Sequence, residues 1–202
     1  MVIFAGVDGT GEFSNANYQD RFAHSHVNKL SRGDSLGGPA IWTFQPFYHR
    51  GLRIFGNDTF IHACKVFYYV ATQRRHHPDA RVFLLSGYSC GGAAVIAAAR
   101  WLQRLGLIVD ALFLFDAVDR SLPVDGYIIS SNVKQACHAR RDPAARSRAS
   151  FGNCGCDEKT PRGPATRSVT SWPSMVGWAG CPGARRRCPL GAPASMKGRP
   201  MG

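Results

Sequence analysis

Residues 84–92 read Leu84-Leu85-Ser86-Gly87-Tyr88-Ser89-Cys90-Gly91-Gly92, and they follow Arg81-Val82-Phe83. The stretch 81–86 is an apolar run bounded by turn residues, which predicts a buried strand. From Gly91 onward Val95, Ala98, Ala99, Leu102 and Leu105 recur on one helical face, and Gly106 follows as a helix stop. A strand, a tight turn and a helix are therefore expected, with Ser89 at the turn. Residues 87–91 also spell GxSxG. That motif alone is weak, but here it stands between an apolar strand and an amphipathic helix, the context that gives it meaning. A sharp turn lifts a serine hydroxyl clear of the sheet and strains the backbone at the serine. Glycines at 87 and 91 then keep neighbouring side chains from colliding. The helix N-terminus lies just beyond Ser89, so the Cys90 amide is placed to donate to an oxyanion. The competing reading is an ordinary strand–turn–helix with a buried serine.

Working outward, Val2–Gly6 is another apolar run and Val109–Phe115 a third; Val133–His138 makes a fourth strand. Phe60, Ala63, Cys64, Phe67, Val70 and Ala71 have helical spacing after an Asn57-Asp58 cap, with an end near Arg75 and a turn at 76–79. Residues 7–56 show little periodicity and read as a long active-site loop region with short elements. Strands alternating with helices predict an α/β fold with a mainly parallel sheet and helices on both faces. Continuous rather than alternating apolar strands agree with burial on both sides.

Asp116 ends the third apolar run, 27 residues after Ser89. The carboxyl edge of a parallel sheet is where open α/β folds gather ligands, so Ser89 and Asp116 should share that edge. There Asp116 could orient a histidine and stabilise its imidazolium. Asp119 is the fallback; an Asp116 that merely caps a turn and pairs with Arg120 is the alternative. Asp8-Gly9-Thr10-Gly11 follows the first strand, and its amides at the same edge suit a second oxyanion donor. It lacks the lysine and spacing of a nucleotide loop.

Three stretches, GVDGTGE at 6–12, GYSCGGAAVIAAAR at 87–100 and LFLFDAVDR at 112–120, resemble a group of bacterial α/β hydrolases similar to the phospholipase effectors of type VI secretion. The resemblance covers roughly residues 2–155. It implies ester hydrolysis, with lipids as the substrate class in the effector branch; a small-molecule or lipid ester is the expected substrate, and no cofactor or metal is expected. It matches Ser89 to the nucleophile, Asp116 to the acid and Asp8, Gly9 and Thr10 to the loop lining the oxyanion site. One common form of the motif has Arg where this chain has Cys90, a change that leaves the backbone amide in place.

A serine hydrolase of this chain order draws its base from a histidine after the acid. His138 is the one histidine downstream of Asp116, and it becomes the candidate base. The upstream histidines are His24, His26, His49, His62, His76 and His77. In the resembled family the base comes from a later His-Gly loop. Residues 174–183, read one frame over from the third base of the Ser174 codon, permit His-Gly-x-Val-Gly-Gly-Val-Pro-Trp. A shift of reading frame between about Gly155 and Ser174 is therefore the hypothesis for the tail. Resequencing of the locus tests it, since an unshifted reading without a His-Gly loop in the other frame ends it.

The 202 residues are 45% apolar and 19% charged, an ordinary globular balance, and suffice for one domain. The net charge of +12 is concentrated: residues 1–139 carry 13 Lys/Arg against 10 Asp/Glu, while 140–202 carry 12 against 3. A basic face on the body is therefore not supported, and specific nucleic-acid binding is not expected. Residues 152–202 hold 9 Gly and 7 Pro without periodicity and predict a disordered basic tail behind a 1–151 domain. Arg185-Arg186-Arg187 offers at most weak, salt-sensitive binding to nucleic acid or anionic membrane. Seven cysteines in irregular spacing do not form a disulfide framework or a zinc site, and reduced thiols fit a cytoplasmic protein. There is no apolar run long enough to span a membrane and no secretory signal pattern. Two function classes remain beside the hydrolase: an inactive remnant lacking its base, and a binder acting through the tail.

Overall fold

The computed structural model describes residues 2–11, 14–33, 45–51, 58–80, 82–120, 124–140, 154–155 and 157–158. The apolar runs become parallel strands: β1 (Val2–Val7), β3 (Val82–Tyr88) and β4 (Ala111–Phe115), with the short β2 (Phe47–His49) and β6 (Ala136–Ala139) at the flanks. They lie in the order β2-β1-β3-β4-β6, every pairing parallel. Gly87 of β3 stands level with Val7 of β1 and Leu114 of β4, so all three strands finish at one edge. A second pair joins β5 (Ile128–Ile129) to β7 (Asp157–Glu158).

Helices cover both faces. Two long ones, α3 (Thr59–His76) and α4 (Cys90–Arg104), pack on one side. Their Ala63, Val66, Val70, Val95, Ile96 and Leu102 form one core with Ile3, Ala5, Val7, Leu85, Leu112 and Leu114 of the sheet. On the other face lie two short helices, α1 (Asn15–Phe22) and α2 (His26–Arg32). Val27 of α2 meets Gly6, the His26 ring lies on Phe115, and Phe22 of α1 lies beside Tyr88. Burial of both faces explains why β1, β3 and β4 read as continuous rather than alternating apolar runs. No helix among the described residues is long and apolar enough to cross a membrane.

The expected elements are present, with shifted ends. The second strand runs on to Tyr88, and the helix begins at Cys90 rather than Gly91. Asp58 stands at the N-cap of α3 but makes no side-chain cap bond. Gly106 closes α4 with φ of 69° and its N–H on the Gln103 carbonyl. Val133 only bridges Val109, and the fourth strand proper starts at Ala136. Within 7–56, Ser14 and Ser25 cap α1 and α2 by accepting from the amides of Asn17 and Asn28. The body continues past residue 151: Cys154 is buried, its N–H donating to the Ala117 carbonyl at 2.9 Å, and Gly155 N–H donates to Gly126 at 3.0 Å. The remainder of the basic tail, with the proposed frame change, lies outside the described residues.

Candidate active site

Ser89 occupies the single residue between β3 and α4, with φ 53° and ψ −127°. That backbone region is costly for a non-glycine residue and persists only where the surroundings fix it. They do so here. Its N–H donates to the Phe115 carbonyl at 3.0 Å, and its own carbonyl accepts from Gly92 at 2.9 Å and from Val118 at 3.0 Å. The residue is 4% exposed. Gly91 must be glycine for the turn to close: a β-carbon there would sit 2.6 Å from the Asp8 carbonyl oxygen and closer still to that of Val7.

Those bonds also bring the acid segment in. Asp116 lies between Phe115 and Val118, both bonded to Ser89, and its N–H donates to the Ala139 carbonyl at 2.7 Å. It too has a positive φ, 42°. The structure thus places Ser89 and Asp116 on one edge, as the strand ends suggested. Asp119 instead serves the following turn, accepting the Gly126 N–H at 2.5 Å.

The loop after β1 reaches the same spot. Gly9 faces Ser89 so closely that a β-carbon on it would lie 3.1 Å from the Ser89 β-carbon. The Gly9 N–H is turned inward onto its neighbour's carboxylate, Asp8 Oδ1, at 3.1 Å. The Gly9 carbonyl accepts from the Tyr18 hydroxyl at 2.7 Å, and that oxygen in turn accepts the Gly51 N–H at 2.7 Å. Gly9 is thereby spent, and the next amide, on Thr10, donates to nothing among the described residues. Cys90, first in α4, likewise has no carbonyl one turn back to receive its N–H.

Asp8 is fully buried. Its Oδ2 accepts from the Tyr48 hydroxyl at 2.8 Å and from the Ser25 hydroxyl. Burial raises its pKa above 3.8, against the pull of the Ser25, Tyr48 and Gly9 donors and the charge of His26. The same burial, with the Asp8 charge beside them, raises the Tyr48 and Tyr18 phenols. Asp8 is therefore an anchor under the loop, while Thr10 is the residue with an open amide.

His138 does not join this group. In β6 only Ala136 and His138 point inward. His138 is level with Leu114, is fully buried, and accepts the Ala117 N–H on Nε2 at 3.1 Å. Burial lowers its pKa to about 4; the Arg140 charge adds to this, and the Gly155 backbone works the other way. Its Nε2 bond leads to Ala117, not to Ser89, and its buried Nδ1 has no hydrogen-bond partner among the described residues. A cavity of about 580 Å³ lies beyond Tyr18 and Tyr48 and is lined also by Arg32, His49 and Arg50; Ser89 is not on its wall.

These features define an α/β protein with a parallel sheet and a strained serine at its carboxyl edge. No protein-family model matches the chain, and no curated protein matches it in sequence. Among solved structures it is similar to a cutinase-like protein from Cryptococcus sp., at 18% identity and a TM-score of 0.37, over 64% of this chain and 59% of that one. The match spans less than two thirds of that protein's length, and a likeness at this level leaves the chemistry to be argued from the site's own residues.

Proposed function

We propose that the protein is a serine ester hydrolase in which the turn at Ser89 is a nucleophile elbow. The observation that carries the reading is the backbone of Ser89, held at φ 53° between a central parallel strand and a helix N-terminus. Such strain in a non-glycine residue is retained where it aims a side chain. Ser89 attacks an ester carbonyl, and the Cys90 and Thr10 amides receive the oxyanion. Asp116 supplies the carboxylate on the same edge. The substrates are small-molecule or lipid esters, of which the sequence resemblance implies the lipids.

A fluorophosphonate probe tests the reading. It should label Ser89 in the folded protein and leave Ser89→Ala unlabelled. The inactive-remnant reading draws support from His138, whose acceptor nitrogen is taken by Ala117. Folded protein that never labels would decide for the remnant.

A further inference from the structure

We infer that His26 is the general base for Ser89, an inference that rests on the serine-hydrolase reading above. All seven histidines lie among the described residues, so each can be placed. His138 is bonded to Ala117. His49 is engaged at both nitrogens, Nδ1 with the Arg50 carbonyl at 2.6 Å and Nε2 with Lys65 Nζ at 2.9 Å. His62 is buried on α3 against the His49 ring. His76 ends α3 and His77 follows it, in the turn that leads to the start of β3, far from the strand ends. His24 is exposed and makes no ring contact among the described residues.

His26 differs from all of these in what its ring touches. It is the first residue of α2, it is exposed, and neither ring nitrogen has a hydrogen bond among the described residues. Its ring is stacked on Phe115, centroids 4.9 Å apart and planes 18° apart. Phe115 is the residue whose carbonyl holds the Ser89 amide, and Asp116 follows it. The preceding Ser25 fixes the backbone at this point, since its hydroxyl accepts the Asn28 N–H at 3.0 Å and donates to Asp8. Proton transfer requires the exposed ring to turn from Phe115 toward the serine, a rotamer change of the kind exposed side chains make.

In the first step a bond forms between Ser89 Oγ and the acyl carbon while the hydroxyl proton passes to His26. The bond from that carbon to the alcohol oxygen then breaks, and the same proton leaves with the alcohol. Water enters by the reverse proton path, releasing the acid and restoring the serine. A base that precedes its nucleophile in the chain is compatible with this chemistry, because such constellations are defined by geometry and not by order.

Labelling rates of the full chain with the fluorophosphonate test the inference. His26→Ala should slow labelling of Ser89 about 100-fold, and added imidazole should restore part of the rate. His26→Phe, which keeps a ring on Phe115, should be as slow as the alanine variant. His24→Ala and His138→Gln should label at the parental rate. Parental rates in His26→Ala, or in His26→Phe alone, overturn the role of His26 and leave the hydrolase reading standing. A parental protein that is folded but never labels removes both.

Discussion

The Ser89 amide donates to the Phe115 carbonyl at 3.0 Å, tying the turn after β3 to the last residue of β4. The bond runs between adjacent parallel strands just beyond their last register pair, Tyr88 and Phe115. It makes the serine conformation a property of the sheet rather than of the turn alone. Disturbing the strand ends should therefore disturb the serine.

Gly91→Ala is the sharpest way to do so. The added methyl would press on the Val7 and Asp8 carbonyls at the end of β1. Overpacking of this kind costs about 1–3 kcal/mol. Urea unfolding should show that loss, together with slower labelling of Ser89; a variant of parental stability would mean that β1 and the turn are not in contact.

His138 predicts acid lability. Its folded pKa of about 4 lies below the ordinary 6.5, so the unfolded chain binds its proton more readily. The stability it contributes is complete above 6.5 and is lost as pH falls from there toward 4, on the order of 3 kcal/mol in all. His62, also lowered to about 4 by burial, acts in the same window. His138→Gln keeps an acceptor for the Ala117 amide and should flatten part of that decline. An unchanged profile of unfolding free energy against pH would contradict the buried, neutral imidazole.

Asp8 has the opposite sign. Its pKa is raised in the fold, so the folded state holds the proton more tightly than the unfolded chain does. Its contribution favours the fold at acid pH and fades as pH rises from 3.8 through the raised value. Asp8→Asn should remove this slope. The comparison is the difference in unfolding free energy between parent and variant across pH 4 to 7, and parallel curves would count against a strained carboxylate.

The sequence made the strand–turn–helix at Ser89 legible because a buried strand and an amphipathic helix each leave a strong periodic mark. The same holds for β1, α3 and β4. The two short helices left little: α1 buries only Tyr18 and Phe22, and its start is signalled by the Ser14 cap alone. β2 has three residues, too few for any period to show. His138 was picked out by its place after the acid, yet alternation along Ala136–Ala139 already puts it on the inward face with Ala136. His26 had no such mark, since its meeting with Phe115 depends on a helix crossing from β1 toward β4.

One phenolic oxygen gives the Ser89 neighbourhood a common latch. Tyr18 donates to Gly9 and accepts from Gly51, so the loop after β1, helix α1 and the segment after β2 meet at its hydroxyl. They should breathe as a unit, with the Gly51 amide hydrogen exchanging into heavy water no faster than helix α1 opens. Tyr18→Phe would uncouple them, and the Gly51 amide would then exchange ahead of α1 while the central strands stay protected.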